Sequence, residues 1–309
     1  ESAITRPLAE YGIGINYVFR RVAGGNGAYF LGEVSDNAFV AYFPTVFLLK
    51  ETLPLLILIT LTLVFTIYQI SQKINLKNFK QTFHNFIAWL RQGVVQYTLM
   101  GFLVLYTYLS ITGNLNIGLR HLFPIFPIIY ILVAKKTHDF FKSFESHQLL
   151  LAKFILALLV IWVVAEPIIN YPYYMSYFNQ FAGGPKNGYH YVTDSNADWG
   201  QDLKRLKSFL DEHPEIDKIR LHYFGGGNPT YYLGDKVINW WDNKRPIEKG
   251  WYAVSVNQLQ GSIYDTGMKP DGTPRRADEE SWRWLKNYSD NYKPIYQVGT
   301  SILIYYVPE

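Results

Sequence analysis

The chain contains no cysteine among its 309 residues and only three methionines. The missing cysteines exclude disulfides and thiolate zinc sites, and leave the redox compartment open. Charge is scarce as well. Asp, Glu, Lys and Arg make up 17% of the residues and leave a net charge of +4. That balance carries no electrostatic footprint for nucleic acid. Aromatic residues, at 17%, are too frequent for a disordered chain. The mean hydropathy of -0.02 is that of an ordinary soluble protein, but it averages two unlike halves. Residues 1–170 hold 13 Lys and Arg against 8 Asp and Glu, and residues 171–309 hold 16 against 17. Within the first half, residues 52–72 and 92–119 carry no formal charge. Uncharged apolar runs of about 20 residues are long enough to cross a bilayer as helices.

Four spans are expected. They cover about Thr52–Ser71, Gln92–Thr112, Ile117–Ala134 and Leu150–Asn170. The third is interrupted by Pro124 and Pro127 and is expected to kink or re-enter; the fourth holds Lys153 near its start, where a lysine can snorkel. Lys73, Lys77, Lys80 and Arg91 follow the first span, and Lys135, Lys136 and Lys142 follow the third. Only Arg120 lies between the second and third. Positive charge favours the cytoplasmic side, so residues 1–50, the 113–120 loop and everything after 171 are expected outside. The expected fold is an α-helical multi-span membrane region of about four helices followed by a small extracytoplasmic α/β domain. Its divisions are 1–50 (outer loop and interfacial segment), 51–170 (spans) and 171–309 (α/β domain). Residues 38–50 suit either an interfacial segment or an extension of the first span above a kink at Pro44 or Pro54. The 37 residues at the start read as a polar, glycine-rich loop.

In the second half, Asp198–Glu212 reads as a helix, with Leu203, Leu206 and Leu210 on one face, Asp198 as its cap and Pro214 at its end. Lys218–Phe224 and Trp251–Val256 alternate as strands, Glu279–Tyr288 reads as a short helix, and Pro294–Val298 with Ser301–Val307 reads as a hairpin. Helices alternating with strands indicate an α/β domain. Residues 261–278 read as a loop.

Several residues invite chemistry. Asp194, Asn196 and Asp198 alternate as in a calcium loop, but Trp199 and Arg205 stand where that loop needs Gly and Glu. The three fit a generic oxygen-ligand site for a divalent metal, a turn with a helix cap, or a polar surface facing an active site. No cofactor is otherwise implied. Arg120 and His121 stand at the outer mouth between two spans, where an arginine suits a lipid phosphate or a headgroup anchor. Glu33 and Asp36 could form an acid–base pair or a solvated loop. Glu166 could be a buried acid or simply mark a helix end. Gly225–Gly227 follows a strand without a nucleotide fingerprint.

Three stretches carry a family resemblance: AYFLGEVSDNAFVAYFPTVFLLKETLPLLILI, NIGLRHLFPIFPIIYIL and YMSYFNQFAGGPKNGYHYVTDSNADWGQDLKRLKSFL. In this order and spacing, across about residues 10–260, the chain resembles the C-terminal part of bacterial integral-membrane glycosyltransferases of the GT-C superfamily, protein-mannosyltransferase-like branch. The resemblance implies a multi-pass inner-membrane enzyme that moves a sugar from a polyprenyl-phosphate donor to an acceptor at the outer face. The family's catalytic acid in its first outer loop has no counterpart here, so the chain is expected to be a C-terminal portion. In that setting Arg120 and His121 would hold the donor phosphate, and Glu33, Asp194, Asn196 and Asp198 would line the cavity or meet the acceptor. Its partners would be the donor, the bilayer and an acceptor that the sequence does not identify. Two other classes compete. A transporter would show paired repeats of broken helices. A membrane-anchored binding module would use Trp199, Tyr231, Tyr232, Trp240 and Trp241 to stack on glycans or proteins.

Overall fold

A computed structural model describes residues 5–73, 91, 93–144, 146–240, 246–265, 268, 273 and 282–308. Along the chain, helix α1 (Thr5–Gly24) leads to the hairpin β1 (Ala28–Phe30) and β2 (Glu33–Ser35), then α2 (Tyr42–Lys50), α3 (Leu53–Lys73) and α4 (Val94–Thr112). A 3-10 turn over Leu119–Ile125 precedes α5 (Phe126–Phe141) and α6 (Ser146–Ile169). Then come α7 (Leu203–Glu212), β3 (Ile219–His222), α8 (Pro229–Leu233), β4 (Val237–Asn239), β5 (Gly250–Ser255), α9 (Val256–Ile263), β6 (Tyr296–Val298) and β7 (Ile302–Val307).

These elements form two compact units. One gathers residues 1–49, 112–119 and 172–309; the other holds 50–111 and 120–171. The second unit is the apolar one. Among the described residues, three helices are long and apolar enough to cross a membrane: Leu53–Gln72, Val94–Thr112 and His147–Ile169. Their lipid-sized apolar faces make this a membrane protein. The expected third span does not appear in that form. Its first part is a 3-10 turn containing Pro124, and α5 starts only at Phe126 with Pro127 in its first turn. Proline lacks an N–H and is best tolerated in the first turn of a helix, so α5 starts only past Pro124, with Pro127 in that first turn. α5 then runs into Lys135, Lys136 and Asp139. The Phe65 and Phe140 rings meet edge to face at 5.0 Å between α3 and α5, and Lys136 Nζ donates to Gln69 Oε1 at 3.2 Å.

The other unit is built on a five-stranded sheet of order β4-β3-β5-β7-β6. β4, β3 and β5 are parallel; β5, β7 and β6 are antiparallel, in the register Ala253↔Ile304 and Gln297↔Leu303. The leucines of α7 pack on one face of this sheet with Ile216, Ile219, Leu221, Ile302 and Ile304. This is the α/β core read from the leucine spacing and the strand alternation. α7 itself starts at Leu203 rather than Asp198, with Asp202 in the cap position. Between 279 and 288 the described residues form a 3-10 turn, Arg283–Asn287. Most of 264–278 lies outside the described residues, as do Lys77, Lys80 and Trp241.

Residues 42–50 form a short helix of their own. α2 is separate from α3, and its Tyr42, Phe43, Val46 and Leu49 are buried. Asn179 caps its end, with its backbone N–H donating to Leu49 O at 2.8 Å and Nδ2 to Leu48 O at 2.7 Å. The start of the chain is a 20-residue helix, not a loop.

Candidate functional site

The three stretches that carry the resemblance meet in the α/β-containing unit. From the loop after α4, Asn114 Oδ1 accepts from Ala38 N at 2.7 Å and Asn116 Oδ1 from Phe39 N at 2.5 Å. From the 193–198 turn, Asn196 Oδ1 accepts from Leu119 N at 3.0 Å, while its Nδ2 donates to Tyr42 Oη at 2.7 Å and Thr193 O at 3.3 Å. Ser195 Oγ donates to Ile117 O. The β1–β2 hairpin joins the same assembly: Leu31 N donates to Tyr191 O at 2.8 Å and Tyr29 Oη to His190 O at 2.7 Å. Asn196 is buried, and its amide ties the three segments together. Replacing it with alanine leaves the buried Leu119 N–H and Tyr42 hydroxyl without these partners, at a cost of about 2 kcal/mol. The expected readout is faster hydrogen exchange at the Leu119 amide and a lower thermal midpoint. Unchanged exchange there would remove Asn196 as the tie.

Asp194 has a left-handed φ of 55° and accepts from Ser195 N at 2.5 Å, while its own N–H donates to Asn257 Oδ1 at 2.6 Å. It stabilises a turn. Asp198 is fully buried and does not cap α7. Its Oδ1 accepts from Gly200 N at 2.8 Å. Burial raises its pKa to about 7, against the easing effect of Gly200 N–H and the Ser255 and Ser301 hydroxyls and reinforced by Asp202. Among the described residues, no three His, Asp or Glu side chains group as metal ligands.

The turn carrying Asp198 lies over the carboxyl ends of β3 and β5. Tyr223 Oη, just past β3, donates to Gly200 O at 2.7 Å, and Ser255 Oγ, at the end of β5, accepts from Phe224 N at 2.9 Å. Gly200 and Gly225 approach so closely that a Cβ on either would overlap the other's Cα region and the Tyr223 ring. This explains the glycine after the strand without a nucleotide. Beside it, Asp202, missed as a site residue in the sequence, is fully buried and collects Thr300 N, Ser301 N and Ser301 Oγ at 2.7–2.9 Å. At the end of β3, His222 Nδ1 accepts from Trp282 Nε1 at 2.9 Å, and burial pushes its pKa down to about 4.

Glu33 begins β2 with its side chain in solvent. Tyr231 is exposed, Trp199 is partly so, and Trp240 belongs to the aromatic core with Tyr252 and Trp282.

In the membrane unit, Arg120 is exposed and His121 half-buried in the 3-10 turn, where His121 O accepts from Tyr106 Oη at 2.9 Å. Between α3, α5 and α6 runs an apolar cleft in two sections. One, of about 640 Å³, is lined by Glu51, Leu55, Tyr130, Val133 and Val163, and the other, of about 410 Å³, by Leu61, Phe140, Phe144, Gln148 and Leu151. Leu58, Thr137, Phe141 and Leu156 line both, so the sections adjoin. At one end Tyr130 Oη donates to Glu51 Oε1 at 3.2 Å; the remaining lining is mostly apolar, with Thr62, Thr137, His138 and Gln148 among it. Toward that polar end lie the starts of α3 and α5 and the finish of α6, so α6 runs opposite to the other two. Glu166, near the finish of α6, is buried and held by Trp162 Nε1 at 2.8 Å and Asn170 Nδ2 at 3.0 Å, an acid satisfied within its own helix. The comparisons with known protein families, with curated proteins and with solved structures find no match.

Proposed function

We propose that the chain serves an integral-membrane glycosyltransferase that takes a sugar from a polyprenyl-phosphate donor at the outer face of the inner membrane and passes it to an acceptor. The observation that carries this reading is the convergence of the three resembling stretches. They lie about 80 to 150 residues apart along the chain, yet they share one hydrogen-bonded assembly centred on Asn196. Stretches that resemble one family and also build one structure are better explained by a common site than by three separate likenesses. The same unit collects residues 1–49, 112–119 and 172–309, the segments that the lysine distribution assigns to the outer side. One folded unit requires its parts to share a side of the membrane. That topology needs an even number of crossings between 50 and 111, and again between 120 and 171. α5 then serves as the fourth crossing, shorter in its apolar part than the other three.

The cleft supports a lipid-linked donor. A largely apolar cleft with the Glu51–Tyr130 pair at one end suits an isoprenoid chain bearing a headgroup. Arg120 supplies a guanidinium for the phosphate oxygens, with His121 beside it in sequence; Arg holds such groups by two parallel hydrogen bonds. In transfer, these positive groups would stabilise charge on the departing lipid phosphate.

The test is donor capture by the full chain in proteoliposomes, using a photoactivatable polyprenyl phosphate with the matching polyprenol as control. The phosphate is expected to be captured in preference to the alcohol. Arg120→Ala is expected to weaken its capture by roughly 10- to 100-fold, the range for loss of charge-assisted hydrogen bonds. Equal capture of both lipids, indifferent to Arg120→Ala, would overturn the reading.

A further inference from the structure

Helix α1 has no place in the proposed chemistry, yet it is the most unusual surface of its unit. Every residue from Thr5 to Arg20 is exposed. Seven of them are large and apolar: Leu8, Tyr11, Ile13, Ile15, Tyr17, Val18 and Phe19, most of them more than 60% exposed. At 3.6 residues per turn, Leu8, Tyr11, Ile15 and Val18 fall at the i, i+3, i+4 spacing of one helix face, and Phe19 borders them. The opposite side carries Arg6, Asn16 and Arg20 together with Ile13 and Tyr17, and Arg6 Nε donates to Glu10 Oε1 at 2.8 Å. Folded helices bury such a stripe; an exposed apolar face of this size marks a surface that something covers.

We propose that α1 lies in the plane of the bilayer interface, with the Leu8–Tyr11–Ile15–Val18 face among the lipids and its arginines at the headgroups. Four features select lipid as the occupant. First, the chain is a membrane protein, with three helices able to cross a bilayer. Second, the unit that contains α1 joins the membrane unit at four points of the chain, near residues 49, 111, 119 and 171, so a bilayer is tethered to it. Third, the composition is interfacial rather than spanning. The 20 residues contain three arginines and a glutamate, too polar to sit at the membrane centre but suited to its surface. Fourth, Tyr11 and Phe19, on and beside the stripe, supply aromatic rings that prefer the headgroup level. The three arginines against one glutamate further favour an anionic lipid surface.

The lack of cysteine makes the test direct. Single cysteines are placed in the full chain at Leu8, Tyr11, Ile15 and Val18, and at Arg6, Ala9 and Asn16 on the other side. Each is labelled with an environment-sensitive fluorophore and reconstituted into phosphatidylcholine–phosphatidylglycerol vesicles. The stripe positions are expected to shift to the blue and to be quenched by nitroxides on lipid tails, more by a nitroxide near the headgroup than by one near the tail end. The polar-side positions are expected to show neither effect. Stripe labels that stay in water would overturn the proposal. Shielding without lipid quenching would also overturn it, because the occupant would then be protein, a second copy or another segment. Equal quenching at all seven positions, strongest for the deep nitroxide, would mean a spanning helix and overturn it too. None of these outcomes depends on donor capture, so the two readings stand or fall separately.

Discussion

Asp202→Ala is expected to destabilise the α/β core by about 3–5 kcal/mol, the cost of leaving a buried charge network without its centre. Asp202 is fully buried at the start of α7, and its Oδ2 accepts Thr300 N at 2.7 Å, Ser301 N at 2.8 Å and Ser301 Oγ at 2.9 Å, with Thr300 Oγ1 farther off at 3.3 Å. Its Oδ1 pairs with Arg205 Nη1 one turn along the helix. One carboxylate therefore fastens the β6–β7 turn to α7, joining residues almost a hundred positions apart. The turn is shaped for this contact. Gly299 has a left-handed φ of 60°, and a side chain there would overlap the Asp202 carboxylate. Alanine at 202 leaves the two buried amide donors unanswered and returns the Arg205 guanidinium, about a third exposed, to water. Asp202→Asn keeps one acceptor oxygen for the amides and loses only the ion pair, so its cost is expected to be smaller. Hydrogen exchange locates the effect: the Thr300 and Ser301 amides lose protection in Asp202→Ala first and most. Protection at those two amides equal to wild type would show that Asp202 does not hold the turn.

Asp202 also shows where sequence reading reaches its limit. The leucines at 203, 206 and 210 announce α7 through spacing alone, and β3, β5 and the final hairpin follow from alternation, because each pattern is local. The partner of Asp202 is the 299–301 turn, and no local pattern connects the two. Asp194, Asn196 and Asp198 draw attention because they alternate; only the fold reveals that Asn196 ties three segments, that Asp194 shapes a turn, and that Asp198 is buried. The reverse happened at the chain start. The polar, glycine-rich run 22–37 suggests a loop, although the apolar residues at 8, 11, 15 and 18 already carry the helical period before it. The third span shows competition between signals. Its apolar run is long enough, but the residues before Pro124 and Pro127 are drawn into the Asn196 assembly, and the helix begins only after them.

Asp198→Asn is expected to remove a pH dependence that the wild-type core carries. Burial raises the Asp198 pKa from 3.8 to about 7, while an unfolded chain returns it to the ordinary value. Between these limits the folded state holds a proton that the unfolded state has lost, so stability falls as pH rises. The contribution is complete below about pH 4, declines through pH 7 and is absent above it. A separation of about three units corresponds to a ceiling of about 4 kcal/mol. For a unit of this size that is a fall of roughly 8–16 °C in thermal midpoint across the window. The groups around the carboxyl are the Gly200 N–H, the Ser255 and Ser301 hydroxyls, the Tyr223 ring and the Asp202 charge, and the last of these reinforces the raised pKa. Asparagine reproduces the protonated acid in shape. Its oxygen can keep the bond from Gly200 N, and its amide occupies the place of Asp198 Oδ2, which is buried without a hydrogen-bond partner among the described residues. The variant is therefore expected to match wild type near pH 4 and to exceed it above pH 7, with the difference between the two curves confined to that interval. Thermal midpoints measured at pH 4, 5, 6, 7 and 8 isolate the term, since the other carboxylates contribute equally to both proteins. Parallel curves would mean that Asp198 is ionised in the folded core, with its charge already answered by the serine hydroxyls and the Gly200 amide.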